Sequence, residues 1–77
     1  MGELLEFIAR SLVADPDAVE VTEIEEAEGE VVLELEVAEE DLGRVIGRGG
    51  RVANALRTVI KAAATRAEKR VIVDIID

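Results

Sequence analysis

The chain has 77 residues and a net charge of −9; 49% of it is hydrophobic, yet only 1% is aromatic, and it holds neither Cys nor His. Those two absences exclude disulfides, thiolate nucleophiles, Cys- or His-ligated zinc and the commonest general base. With Phe7 as the sole aromatic, base recognition on rows of exposed rings is also excluded, and the core must be aliphatic, built from Val, Ile, Leu and Ala around Phe7.

The length suits one small domain spanning residues 1–77, of a size that buries only about 60% of its unfolded surface. No apolar run approaches the roughly 20 residues needed to span a bilayer. The acidic start Met1-Gly2-Glu3 is unlike a signal peptide, so a soluble, cytoplasmic protein is expected. Charge is segregated along the chain. Residues 1–41 hold 15 acidic side chains against Arg10, and residues 42–70 hold eight basic ones against Glu68. A polyanion responds to the local field more than to the total, so overall acidity does not exclude nucleic acid. The same distribution also fits a solvated helix face balanced by an acidic hairpin.

Leu5, Ile8, Ala9 and Leu12 recur at helical spacing with Glu3, Glu6 and Arg10 opposite, which predicts an amphipathic first helix. Asp15-Pro16-Asp17 ends it, because Pro cannot continue the backbone ladder. A strand follows from Val19 to Glu25, with Ile24 off the alternation and a bulge expected near Thr22 and Glu23. Glu26 to Gly29 form a turn, and Val31, Leu33, Leu35 and Val37 alternate as the returning strand of a hairpin. Glu39, Glu40 and Asp41 start a short helix carrying Leu42, Val45 and Ile46 inward, stopped by Gly47. A third helix runs from Arg51 to about Thr65 with Val52, Leu56, Val59 and Ala63 as its core stripe. Val71, Val73 and Ile75 close the chain as a strand whose other face, Ile72 and Ile76, is also apolar; this predicts a central position or a cover at one end. The order is α-β-β-α-α-β, an α+β layer of three helices on three strands.

Val45-Ile46-Gly47-Arg48-Gly49-Gly50-Arg51-Val52 places a glycine-bracketed basic turn ahead of the third helix. Glycines allow positive φ and close backbone approach, the helix start offers free N–H groups and a positive dipole end, and Arg48 and Arg51 add phosphate-seeking donors. A glycine stop followed by a new helix start would read the same way. The loop lacks the Lys-Ser/Thr ending of a Walker A motif and is not G-x-G-x-x-G after a strand, so nucleotide hydrolysis and dinucleotide binding do not fit. Paired carboxylates such as Glu39 and Glu40 fall at turns and helix starts, where capping and solvation explain them. No enzyme, metal or cofactor is expected.

With G-x-x-G between its second and third helices, this order resembles the type II KH domain. Beyond the loop, Glu3-Leu4-Leu5 through Ser11-Leu12-Val13, Pro16-Asp17-Ala18-Val19 and Arg70-Val71-Ile72-Val73-Asp74-Ile75-Ile76 are similar to the small bacterial single-KH RNA-binding proteins of the KhpA (YlqC) type. The resemblance implies three helices on one face of a three-stranded mixed sheet, RNA binding in the cytoplasm as a chaperone or post-transcriptional regulator, homodimerisation, and pairing with a larger KH protein of the KhpB (Jag) type. It also implies that Gly47-Arg48-Gly49-Gly50 clamps the backbone of about four nucleotides of single-stranded RNA. Ile46, Arg51 and Val52 flank that clamp, and Asn54 is either a base-selecting group or a plain exposed helix residue. The strongly acidic first half departs from an RNA-binding pattern. An adaptor whose fold serves mainly for association with other proteins is the alternative.

On the third helix Ala53, Ile60 and Ala64 form a second apolar stripe beside the first. Small residues permit close helix approach, so this stripe is either a two-fold dimer seam or packs beneath the first helix.

Overall fold

A computed structural model describes all residues, 1–77. Helix α1 (Gly2–Leu12) leads through a one-turn 3-10 segment, Pro16–Ala18, to the antiparallel hairpin β1 (Glu20–Ala27) and β2 (Glu30–Glu36). A 3-10 turn, Glu39–Asp41, opens into α2 (Leu42–Ile46); a second, Arg48–Gly50, connects it to α3 (Arg51–Arg66), and β3 (Arg70–Ile75) ends the chain. The sheet order is β1-β2-β3, with β3 parallel to β2 and paired Leu33 to Val73. The expected α+β topology is therefore present, with three helices on one face of a mixed sheet.

The core is aliphatic: Leu5 and Ala9 of α1, Val31, Leu33 and Leu35 of β2, Val45, Leu56, Ile60 and Val73 close into one cluster. Phe7 is not part of it. The ring stands 70% exposed, because Leu5 and Ala9 set the inward direction of α1 and Phe7 falls outside that stripe.

Helix α3 is rotated relative to its expected setting. Ala53, Leu56, Ile60 and Ala64 are its buried residues, and Val59 is 46% exposed. Ala53, Ile60 and Ala64 thus pack inside the protomer and cannot form a dimer seam on its surface. Both stripes were apolar, and Leu56 lies between them. Leu56 and Ile60 are the α3 side chains that join the core cluster, and the small Ala53 and Ala64 are covered beside them.

Two strand details also differ. The bulge lies between Glu25 and Ala27, not near Thr22 and Glu23; Ile24 keeps its register opposite Val32 and points to the helix-free face. Strand β3 is an edge strand, neither central nor covered, so Ile72 is 58% exposed.

Asp41 is the one buried charged residue. Its Oδ1 accepts the N–H of Ala14 and its Oδ2 the N–H of Asp15, each at 3.0 Å. The carboxylate thereby pins the loop after α1 to the entrance of α2. The Ala14 bond, helped by the Asp15 bond and by Arg44, holds its pKa below the ordinary value against the opposing effect of burial.

Candidate nucleic-acid interface

The turn between α2 and α3 owes its shape to three glycines. Gly47 has φ 76 and ψ 167, a region essentially reserved for glycine, and a Cβ there would lie 2.5 Å from Val52 Cγ2 and 2.8 Å from the Val52 nitrogen. Gly49 (φ 64) and Gly50 (φ 78) are left-handed, but Cβ atoms there would meet only open space or, for Gly50, the Asn54 amide at 3.8 Å. Gly50 donates its N–H to the Gly47 carbonyl at 3.1 Å, closing the turn. Gly50 is also the N-cap of α3, and no side chain caps that end. The positive end of the α3 dipole therefore points at the turn, with the Arg51 N–H donating to the Arg48 carbonyl.

The expected site residues gather here. Ile46 ends α2 and is partly exposed, Val52 is half-buried against Gly47, and Arg48 and Arg51 are exposed on either side of the glycines. Asn54 is exposed one turn into α3; its Oδ1 accepts from Arg57 Nη1 at 3.5 Å. Ala53, Ile60 and Ala64 lie beneath this surface in the protomer interior.

Beyond Asn54, the structure adds residues that motif reading missed. Asn54, Arg57, Lys61 and Thr65 follow one another at helical spacing on the outer side of α3, and that side turns toward the free edge of β3. Arg57 Nε donates to the Val73 carbonyl at 3.4 Å, across the gap between helix and strand. Beyond it a hollow is walled by Lys61, Lys69 and Arg70, with Val71 and Ile72 on the strand side. The signal was present in the cluster of basic residues, but only the edge position of β3 makes it a groove.

Among 18 acidic residues, only two ion pairs form: Glu6 with Arg10, and Glu30 with Arg70 at 3.6 Å. Arg48, Arg51, Arg57, Lys61, Arg66 and Lys69 are in no ion pair, and Arg44 acts on Asp41 only from beyond ion-pair distance. The arrangement can hold an extended polyanion: backbone donors and two arginines at the glycine turn, then a cationic track with an aliphatic floor. No cluster of carboxylates is arranged to hold a metal ion, and no helix is long and apolar enough to cross a membrane.

Residues 2–75 match the KH domain family of KhpA and KhpB. The chain is 57% identical to the RNA-binding protein KhpA of Caldanaerobacter subterraneus subsp. tengcongensis over 76 residues, covering 99% of this chain and all of that protein. It is 58% identical to the protein of the same name from Clostridium acetobutylicum with the same coverage. A third, from Aquifex aeolicus, is 45% identical over all of this chain and 96% of its own length. Matched from end to end, with the glycine turn seated between α2 and α3 and a parallel β2–β3 pair beneath it, the chain belongs to the KhpA/KhpB KH-domain family.

Proposed function

We propose that this protein is a non-catalytic, cytoplasmic RNA-binding module that grips short single-stranded RNA through Gly47-Arg48-Gly49-Gly50. The observation that carries this reading is the turn itself: three positive-φ glycines, two unpaired arginines and the uncapped start of α3 converge on one point. A phosphate accepts from backbone N–H groups there, with Arg48 and Arg51 closing over it. The RNA then runs along α3, where Asn54, Arg57 and Lys61 meet its backbone and Ile46 at the turn and Val71 of β3 offer aliphatic surface to the bases, Val52 being turned to the α1 side of the helix. Few base edges can be read by such a surface, so selectivity is low, in keeping with RNA chaperoning or broad post-transcriptional regulation. The relatives' shared name, RNA-binding protein, supports the same reading.

The protein acts as a dimer in this proposal, through a face other than the one expected from sequence. Phe7 and Leu4 of α1 stand exposed, and between α1 and α3 Ile8, Leu12, Val52, Ala55 and Val59 line an apolar hollow whose one polar residue is Arg51 of the clamp. A second copy, or a larger KH protein of the KhpB type, would cover both. Two clamps on one particle gain avidity wherever a single strand reaches both.

Fluorescence anisotropy of a labelled single-stranded RNA across a salt series tests the clamp. Binding should weaken as salt rises above about 0.1 M, with a log–log slope near 0.7 per phosphate contact. The double change Arg48→Asp, Gly49→Asp should abolish binding with circular dichroism unchanged, since position 49 is open and Asp tolerates its left-handed backbone. Equal binding by both proteins would refute the clamp.

A further inference from the structure

All helices lie on one face of the sheet, and the opposite face is bare. Pairing of Ile24 with Val32, and of Val32 with Ile72, sets three aliphatic side chains in a row across all three strands. The next row is Thr22, Glu34 and Asp74, and the pair Glu20 and Glu36 follows. None of these four carboxylates has a cationic partner, since the two ion pairs of the chain lie elsewhere. At the other end of the aliphatic row, Glu26, Glu30 and Arg70 border a shallow hollow with Val32 and Ile72. Ile24 at 38% exposed and Ile72 at 58% stand on the two edge strands and flank half-buried Val32, so the apolar row runs unbroken across the sheet.

We propose that the open sheet face is a docking surface for an extended, lysine- or arginine-rich protein segment carrying alternate aliphatic side chains. An extended chain turns every second side chain to the sheet, so aliphatic groups can lie along Ile24, Val32 and Ile72 while the long basic side chains between them bend back past the peptide's edge to Glu34, Asp74, Glu20 and Glu36. Charge complementarity selects this occupant. The carboxylates repel RNA and anionic lipid, and an apolar partner would leave them desolvated and unpaired. The surface faces away from the glycine turn, so this docking does not depend on the RNA reading. A basic protein and an RNA strand can be held together, each by the half of the molecule of opposite charge.

The test is a titration of the isotope-labelled full chain with a short peptide of alternating lysine and valine, followed by amide chemical shifts. Shifts should concentrate at Thr22 to Ile24, Val32 to Glu34 and Ile72 to Asp74. A peptide of alternating lysine and serine should bind at least about tenfold more weakly, as should Ile24→Thr, which lies away from the α3 groove, and the double change Glu34→Lys, Asp74→Lys. RNA anisotropy on the same variants should show binding retained, which separates failure here from failure of the clamp. Equal affinity for the two peptides would mean diffuse charge attraction only. Shifts along α1 and α3, or self-association of the chain in place of peptide binding, would likewise overturn the proposal.

Discussion

Gly47 and Val52 interlock: a Cβ in place of the Gly47 hydrogen that points into the Val52 side chain would lie 2.5 Å from Val52 Cγ2. Gly47→Ala therefore combines a glycine-only backbone with a steric overlap and should cost about 3 kcal/mol in urea unfolding. Val52→Ala should recover only part of that loss, because the Val52 nitrogen also stands in the way. Gly49→Asp has open space but keeps a left-handed backbone, so it should cost only about 1 kcal/mol, far less than Gly47→Ala, and still lose RNA.

Arg57→Gln and Lys61→Gln test the track beyond the turn. Each should weaken RNA binding and lower the salt slope by about 0.7, while thermal stability stays within about 0.5 kcal/mol. An unchanged slope would remove these residues from the RNA path.

The two neighbours Val59 and Ile60 should behave oppositely. Val59→Asp lies on the exposed side of α3 and should yield a folded monomer by light scattering. Ile60→Asp places a charge in the core and should cost about 4 kcal/mol or more, unfolding a domain of this size. A folded Ile60→Asp protein would contradict the packing of α3.

Helix α3 ends in a Schellman turn, with Lys69 donating to Ala64 and Glu68 to Thr65. Glu68 occupies the left-handed position, φ 58, where glycine is usual. Glu68→Gly should stabilise the fold by about 1 kcal/mol in urea melts and, by removing the sole acid among the basic residues of this half, tighten RNA binding.

Acid should act through Asp41. Its folded pKa lies below its unfolded value near 3.8, so its contribution is complete above that value and is lost as pH falls through the folded one. Asp41→Asn turns a donor toward the N–H of Ala14 or Asp15, so the variant should be less stable at neutral pH and lose less on acidification. Urea midpoints between about pH 6 and pH 2 would show this.

The element order and the glycine turn could be read from the chain because each rests on a local signal: helical spacing in α1, alternation in β2, Pro16 and Gly47 as stops. The rotation of α3 could not, because Val52, Leu56, Val59 and Ala63 satisfy the helical period as well as Ala53, Leu56, Ile60 and Ala64 do. Only packing against β3 separates them. Phe7 misled for a related reason, since hydrophobicity alone does not say which side of α1 is inward. Asp41 was legible as a helix-start carboxylate, but its bonds to Ala14 and Asp15 span a sequence distance that no local pattern encodes. The groove along α3 needed β3 at the edge, a fact of sheet order.

The segregation of charge makes the protein's appearance to RNA depend on distance. At about 0.01 M salt the screening length is about 30 Å, comparable with the 35 Å long axis, and an approaching strand meets the whole charge of −9. At about 0.15 M it shrinks to about 8 Å, and the strand meets only the cationic side of α3. Association should therefore quicken with the first additions of salt before slowing with more, so that dilute buffer hides an affinity which the ionic strength of a cell reveals.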